Sequence, residues 1–299
     1  MKSFLKMLLA GAGLSMASQA GIAQTGEDLP LFEAALEDTA NWREVSAEDL
    51  IIFDVATSDG ESRGRIYVET AQFAAPKHVT QFKEIVRSGD FNGTVFHRVI
   101  DDFMAQGGDI RAVKPGAEEW PNIEGEFTYT RTPMDTTPGE EIQYLGPKNT
   151  ATNGYFRGFP VQTQSEFLAA LREDGKVETW IPHCKGVVSA ARTSDPNSAS
   201  SQFFLMRETS SHLDRGYSSW GRILAGQEVV DAIKTGEPVR RPDMLTQAQL
   251  AVEMDEAKRP RVLVLKTDGP RFQSVLEAND GTNVCDLPPV PAIVMDPRD

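Results

Sequence analysis

The sequence predicts a mainly β protein, a closed antiparallel barrel capped by two helices. Three observations predict it. Short apolar stretches of strand length recur along the chain, each bounded by Gly, Pro, Asn or Asp. Two segments with helical spacing, near 76–88 and 226–235, stand between those strands as caps. No internal repeat appears, and many short strands with two capping helices fit a closed antiparallel barrel.

Taken in order, the chain opens with Lys2 and Lys6, followed by the short apolar run Leu8 to Met16. Ser18-Gln19-Ala20 and Gly21-Ile22-Ala23 then offer small residues where a signal peptidase cuts. Residues 1–23 are expected to be a signal peptide. The run falls short of the roughly 20 apolar residues that a bilayer span needs. Residues 24–47 read as a polar, acidic leader that packs loosely through Leu29-Pro30-Leu31-Phe32. Leu50 to Val55 is a strand, Asp59-Gly60 a turn, and Gly64 to Glu69 the returning strand of a hairpin. Pro76 suits a first helical turn. Val79, Phe82, Ile85 and Val86 recur at helical spacing, and Gly89 ends the helix.

Asn92-Gly93 turns the chain into Phe96-His97-Arg98-Val99-Ile100-Asp101-Asp102-Phe103-Met104-Ala105-Gln106-Gly107-Gly108-Asp109. Phe96, Val99, Phe103 and Met104 suit a core. Arg98 and Gln106 do not, because an unpaired buried polar group costs several kcal/mol. Asp101-Asp102 reads as a turn between two short strands. Gly107-Gly108 ends the second, where the backbone needs positive φ or a close approach. Arg98 and Gln106 then share a sheet face with Phe103 and Met104. An apolar patch with two polar anchors is the make-up of a small binding site.

Residues 110–185 far exceed the about 12–15 residues of a structureless loop. They read as an inserted lobe over one end of the barrel, with a helix expected from Gln164 to Glu173, closed by Gly175. Gly186 to Ala191 and Gln202 to Met206 are buried strands. The second cap runs from Gly226 to Thr235, with Val229, Val230 and Ile233 inward. Met244 to Ala257 reads as a further helix, and Arg261 to Leu265 as the strand that closes the barrel. Residues 268–299 read as an extended tail ending in Pro288-Pro289-Val290-Pro291.

Three blocks in order carry a family resemblance. The first is Phe96 to Asp109. The second is Gly186 to Arg192, then Asp195-Pro196-Asn197-Ser198 and Ser201-Gln202-Phe203-Phe204-Leu205. The third is His212-Leu213-Asp214, Trp220-Gly221-Arg222-Ile223 and Val229-Val230-Asp231-Ala232-Ile233. Together they resemble the cyclophilin-type peptidyl-prolyl cis-trans isomerases. The likeness spans residues 48–267, interrupted by the insertion at about 110–185. It implies a closed, eight-stranded cyclophilin-like barrel with two capping helices. It also implies rotation of Xaa-Pro bonds in unfolded or exported polypeptides.

Such catalysis needs no nucleophile, metal or cofactor. Amide resonance sets a barrier of about 18–20 kcal/mol, and the catalyst need only bind the twisted amide better than either planar form. On the resemblance, Arg98 is the catalytic arginine and Gln106 supports it and the substrate. Phe103, Met104, Phe204 and Leu213 match the proline pocket. Ala191, Arg192 and Gln202 match the groove for the backbone that precedes proline. His212 stands where the best-known members carry Trp, so cyclosporin binding is expected to be weak. Tyr217 stands where many members carry His, and Arg192 where they carry Asn. His97 reads as structural. The alternative is a binding module that holds unfolded chains and catalyses poorly.

Composition narrows the rest. A formal net charge of −14, from 30 basic and 44 acidic residues, disfavours nucleic acid as a partner. Four His and two Cys show no metal-binding spacing. No G-x-S-x-G elbow supports a hydrolase built from Ser201, His212 and Asp214. Cys184 and Cys285 are candidates for a bridge in an oxidising compartment; two free thiols is the other reading. The expected location is exported and periplasmic, or else secreted.

Overall fold

A computed structural model of the chain describes residues 29–133, 141–147, 150 and 152–298. The expected signal peptide and residues 24–28 of the leader lie outside the described residues. The elements run α1 (Leu29–Glu37), β1 (Trp42–Glu44), β2 (Leu50–Ala56), β3 (Ser62–Thr70), α2 (Pro76–Ser88), β4 (Thr94–Val95), β5 (Arg98–Ile100), β6 (Met104–Gly107), α3 (Ile110–Val113), β7 (Tyr129–Arg131), β8 (Gln143–Tyr144), β9 (Asn153–Phe156), β10 (Phe159–Thr163), β11 (Val177–Trp180), β12 (Val187–Ala190), β13 (Phe203–Met206), β14 (Ser219–Ala225), α4 (Gln227–Ala232), β15 (Met244–Leu250), β16 (Arg261–Leu265), α5 (Pro270–Ala278) and β17 (Ala292–Met295). Short 3-10 turns join several of them.

The main sheet has nine antiparallel strands in the order β4-β15-β2-β3-β14-β12-β13-β6-β5. This corrects the expected closed, eight-stranded barrel: the sheet curls into an open half-barrel. Its two edge strands, β4 and β5, are separated in sequence only by Phe96 and His97, and no ladder pairs them. The chain itself crosses the gap. Strand β2 is buried on both faces, which is why it reads as an unbroken apolar run. Ile51, Phe53 and Val55 join the layer under α2 with Phe82, Phe203 and Trp220. Leu50 and Ile52 join the opposite layer with Phe156, Phe159, Phe272 and Val264.

Four expectations are corrected by the tertiary structure. Met244–Ala257 is strand β15 followed by 3-10 turns, not a helix. A register shift between Leu245 and Gln247 places Leu245, Ala248 and Leu250 inward, so the apolar spacing mimics a helix. Strand β16 does not close the barrel; it is the centre of a separate three-stranded sheet, β1-β16-β17. The leader is not loose, since β1 pairs with β16 and Phe32 of α1 is fully buried. The C-terminal residues are not an extended tail: they form α5 and β17, and buried Asp296 accepts hydrogen bonds from Arg65 and, at 2.6 Å, from the Tyr67 hydroxyl.

Two helix boundaries also move. The expected helix at 164–173 is a 3-10 segment over Glu166–Leu171, and α4 stops at Ala232 because Ile233 adopts an extended ψ. The insertion folds into its own five-stranded antiparallel sheet, β7-β11-β10-β9-β8. It is fastened to the main sheet by Phe73, whose ring meets Tyr129, Phe156 and Phe159 at 4.8–5.5 Å. Buried Arg222 adds to this, pairing with Glu69 at 2.7 Å and donating to Gly158 O.

Candidate active site

The site begins with register. Arg98 of β5 lies opposite Gln106 of β6, and Gln106 lies opposite Phe204 of β13. Side chains directly opposite in a ladder point the same way, so a cation, an amide and a ring form one row across three strands. Met104, two residues before Gln106, shares that face. Phe203 points the other way and stacks on Phe53 at 5.4 Å. The Asp101–Phe103 turn brings Phe103 to the end of the row; Asp102 takes φ 52, a conformation Asp tolerates. Gly108 has φ 77, and a Cβ there would lie 2.7 Å from Ser201 O, so the close approach of β6 to the following chain requires glycine.

The 3-10 turn Ser211–Leu213 brings Leu213 to the slot. Arg207 N donates to Phe103 O at 2.9 Å, which fixes the start of that loop. Leu213 closes one side of the slot and Tyr217 another. Arg192 covers the Tyr217 ring at 4.4 Å and donates from Nε to Gly216 O at 2.8 Å. The result is a slot of about 100 Å³ lined by Arg98, Phe103, Met104, Gln106, Ala191, Arg192, Phe204, Leu213 and Tyr217. Met104, Phe204 and Leu213 are buried. The Arg98 side chain remains 37% exposed.

Two of the expected site residues stand outside the slot. Gln202 donates its position to a neighbouring cavity and accepts from Gln106 Nε2 at 2.9 Å. Gln106 is therefore tied to Gln202 in this structure, not to Arg98. His212 lies on the exposed rim, stacked on Phe103 with centroids 5.7 Å apart. The neighbouring cavity, about 420 Å³, shares Gln106, Ala191 and Arg192 with the slot. Glu118, Glu119, Trp120 and Asn122 are among its other lining residues. Residues at the start of the insertion thus line this second cavity, while its five-stranded sheet lines neither.

Sequence reading missed Glu237, whose Oε1 accepts from Arg98 Nε at 2.5 Å. The chain at 236–239 runs along β5 through Val99 N to Gly236 O, Gly236 N to Val99 O and Val239 N to His97 O. No motif announces this, because the pairing joins residues 139 apart in sequence. His97 does not line the slot, and burial pushes its pKa below the ordinary 6.5, with Asp109 opposing. Among the described residues no cluster of His, Cys, Asp and Glu is placed to hold a metal. The structure pairs Cys184 with Cys285 as a disulfide.

A curled antiparallel sheet with a small slot, part apolar and part polar, beside a guanidinium defines a class of protein. The comparisons name that class. A family model described as "Cyclophilin type peptidyl-prolyl cis-trans isomerase/CLD" matches residues 52–254. A probable peptidyl-prolyl cis-trans isomerase of Brucella abortus is 31% identical over 64% of this chain and 79% of its own length. The peptidyl-prolyl cis-trans isomerase cyp18 of Streptomyces antibioticus is 34% identical over 58% of this chain and 79% of its own. The crystal structure of cyclophilin AquaCyp293 from Hirschia baltica superposes with a TM-score of 0.82 at 41% identity, covering 89% of this chain and 98% of its own. The chain belongs to the cyclophilin-type peptidyl-prolyl cis-trans isomerases, and isomerisation of prolyl peptide bonds is its activity.

Proposed function

We propose that Arg98 performs the isomerisation electrostatically, on Xaa-Pro bonds of unfolded or exported polypeptides. The observation that carries this is the row Arg98–Gln106–Phe204, which sets a guanidinium beside a slot of about 100 Å³. As an Xaa-Pro bond twists, resonance is lost and the prolyl nitrogen regains a lone pair. A cation held over the ring stabilises that lone pair in the twisted form more than in the planar ones, which lowers the barrier. Glu237 occupies Nε, leaving the two Nη groups for the substrate. Phe103, Met104, Phe204 and Leu213 hold the ring; Ala191, Arg192 and Gln202 accompany the preceding backbone.

A proline-limited refolding assay tests the reading. Wild type should accelerate the slow phase, and Arg98→Ala should abolish most of the acceleration. An unchanged rate in Arg98→Ala would sink the assignment. The substrates' exported nature and a periplasmic location rest on the amino-terminal sequence and on the Cys184–Cys285 bridge, which suits an oxidising compartment. Fractionation of cells that express the full chain would decide the location. Weak cyclosporin binding follows from an imidazole at the rim in place of an indole, and calorimetric titration would measure it.

One observation favours a second role as a holder of unfolded chains. Phe167 and Leu171 on the lobe are 64% and 70% exposed, with Leu168 beside them at 39%. If that role is real, Phe167→Ser should weaken suppression of aggregation while leaving isomerisation unchanged. Equal suppression by both proteins would remove it.

A further inference from the structure

The segment that leaves the insertion and re-enters the main sheet carries His183, whose side chain is completely buried. Its backbone N and its ring Nδ1 both reach Asp214 Oδ1, at 2.7 and 2.9 Å. An ionised carboxylate only accepts, so Nδ1 donates in that bond. Ser210 N donates in return to His183 O at 2.9 Å. The turn that presents Leu213 to the slot is thus held at both ends by one residue. The His183 ring lies stacked against Phe204, centroids 6.0 Å apart and 18° from parallel, and edge-on to Tyr217 at 6.3 Å. Its Nε2 is buried with no hydrogen-bond partner among the described residues. A ring kept for packing alone would not carry that orphan, because a phenyl fills the same space without one.

We propose that His183 is a positioning residue for the proline slot. It supports three of the walls at once: Phe204 and Tyr217 through its ring, Leu213 through Asp214. It touches neither the substrate nor Arg98. Its contribution therefore falls on capture of the proline ring, which planar and twisted forms share, and not on the rotation itself. Uniform binding of this kind appears in KM and spares kcat. The inference rests on the isomerase reading above, and the test separates the two.

The experiment is steady-state isomerisation of a chromogenic Xaa-Pro tetrapeptide, alongside thermal unfolding, for wild type, His183→Phe, His183→Asn and Asp214→Asn. His183→Phe keeps an aromatic ring and the backbone bond but loses the ring's bond to Asp214. His183→Asn keeps a donor and loses the ring. The expected result at a temperature where each is folded is KM raised about 5–20-fold in both His183 variants with kcat within about twofold. Arg98→Ala should show the opposite split. KM within about twofold of wild type in both folded variants overturns the proposal, as does a fall in kcat with KM unchanged. If the His183 variants do not fold, Asp214→Asn decides on the same criterion. If wild type fails to catalyse, the isomerase reading fails instead. Titration of the same peptide by NMR then tests His183, with weaker binding by the variants supporting it and equal binding overturning it.

Discussion

On the proposed mechanism, Arg98 must be held still while its forked end stays free. Glu237 meets the first need by taking Nε, and the register against Gln106 meets the second by aiming the side chain over the slot. Arg98→Ala should lower kcat/KM by about 10²–10³-fold, the usual loss when one preorganised donor is removed from a developing charge. Arg98→Lys should recover little, because a point charge on a flexible stem lacks the planar fork. Glu237→Gln is a milder test. Both partners are more than a third exposed, so stability should barely change. The kinetic expectation is a fall in kcat of about 2–5-fold. A kcat equal to wild type would show that Arg98 needs no such anchor.

Helix α2 shows how one element depends on another far away in sequence. Its N-cap, Ala75, offers no side-chain acceptor. Glu126, from the insertion, supplies two instead: Oε1 accepts from Lys77 N at 3.1 Å and Oε2 from His78 N at 3.0 Å. The same Oε2 lies 2.7 Å from His78 Nδ1. Burial pushes Glu126 up, but the hydrogen bonds from the His78 ring and the two backbone N–H groups outweigh it and hold the carboxyl below its ordinary 4.5. Glu126→Ala should cost about 1–2 kcal/mol, as for other lost N-caps. The sign of the pH dependence follows. A carboxyl lowered on folding stabilises above its unfolded value, and that contribution is lost as pH falls from about 4.5 through the folded value. The gap in unfolding temperature between wild type and Glu126→Ala should therefore narrow between pH 6 and pH 3. A constant gap would mean that Glu126 acts without its charge.

At the scale of the whole molecule, the termini are part of the fold. Strands β1 and β17 flank β16, and Asp296 reaches back to β3 through Arg65 and Tyr67. The Cys184–Cys285 bridge, spanning 101 residues, ties this sheet to the segment beside the slot. Closing a loop of that length restricts the unfolded chain, so Cys285→Ser should cost about 2–5 kcal/mol by denaturant titration. Loss of less than about 1 kcal/mol would mean the packing of α5 and β17 suffices alone. The same long-range ties explain which expectations failed. A leader and a tail that each pair with β16 leave no local sign in either. The bulge at Leu245–Gln247 turned a strand's alternation into helical spacing.

The sequence by itself determined the row Arg98, Met104, Gln106 and Phe204, because alternation along β5, β6 and β13 dictates which side chains share a face. It also determined the first hairpin and helix α2 with its glycine stop, since turn chemistry and periodicity are local. Only the tertiary structure decided that the half-barrel stays open, that its ends are joined by the chain, and that both termini build a second sheet. Glu237, His183 and Glu126 likewise gained their roles only there. Each acts through contacts with residues far along the chain, up to 139 positions away, and isolated distant contacts have no period for a sequence to display.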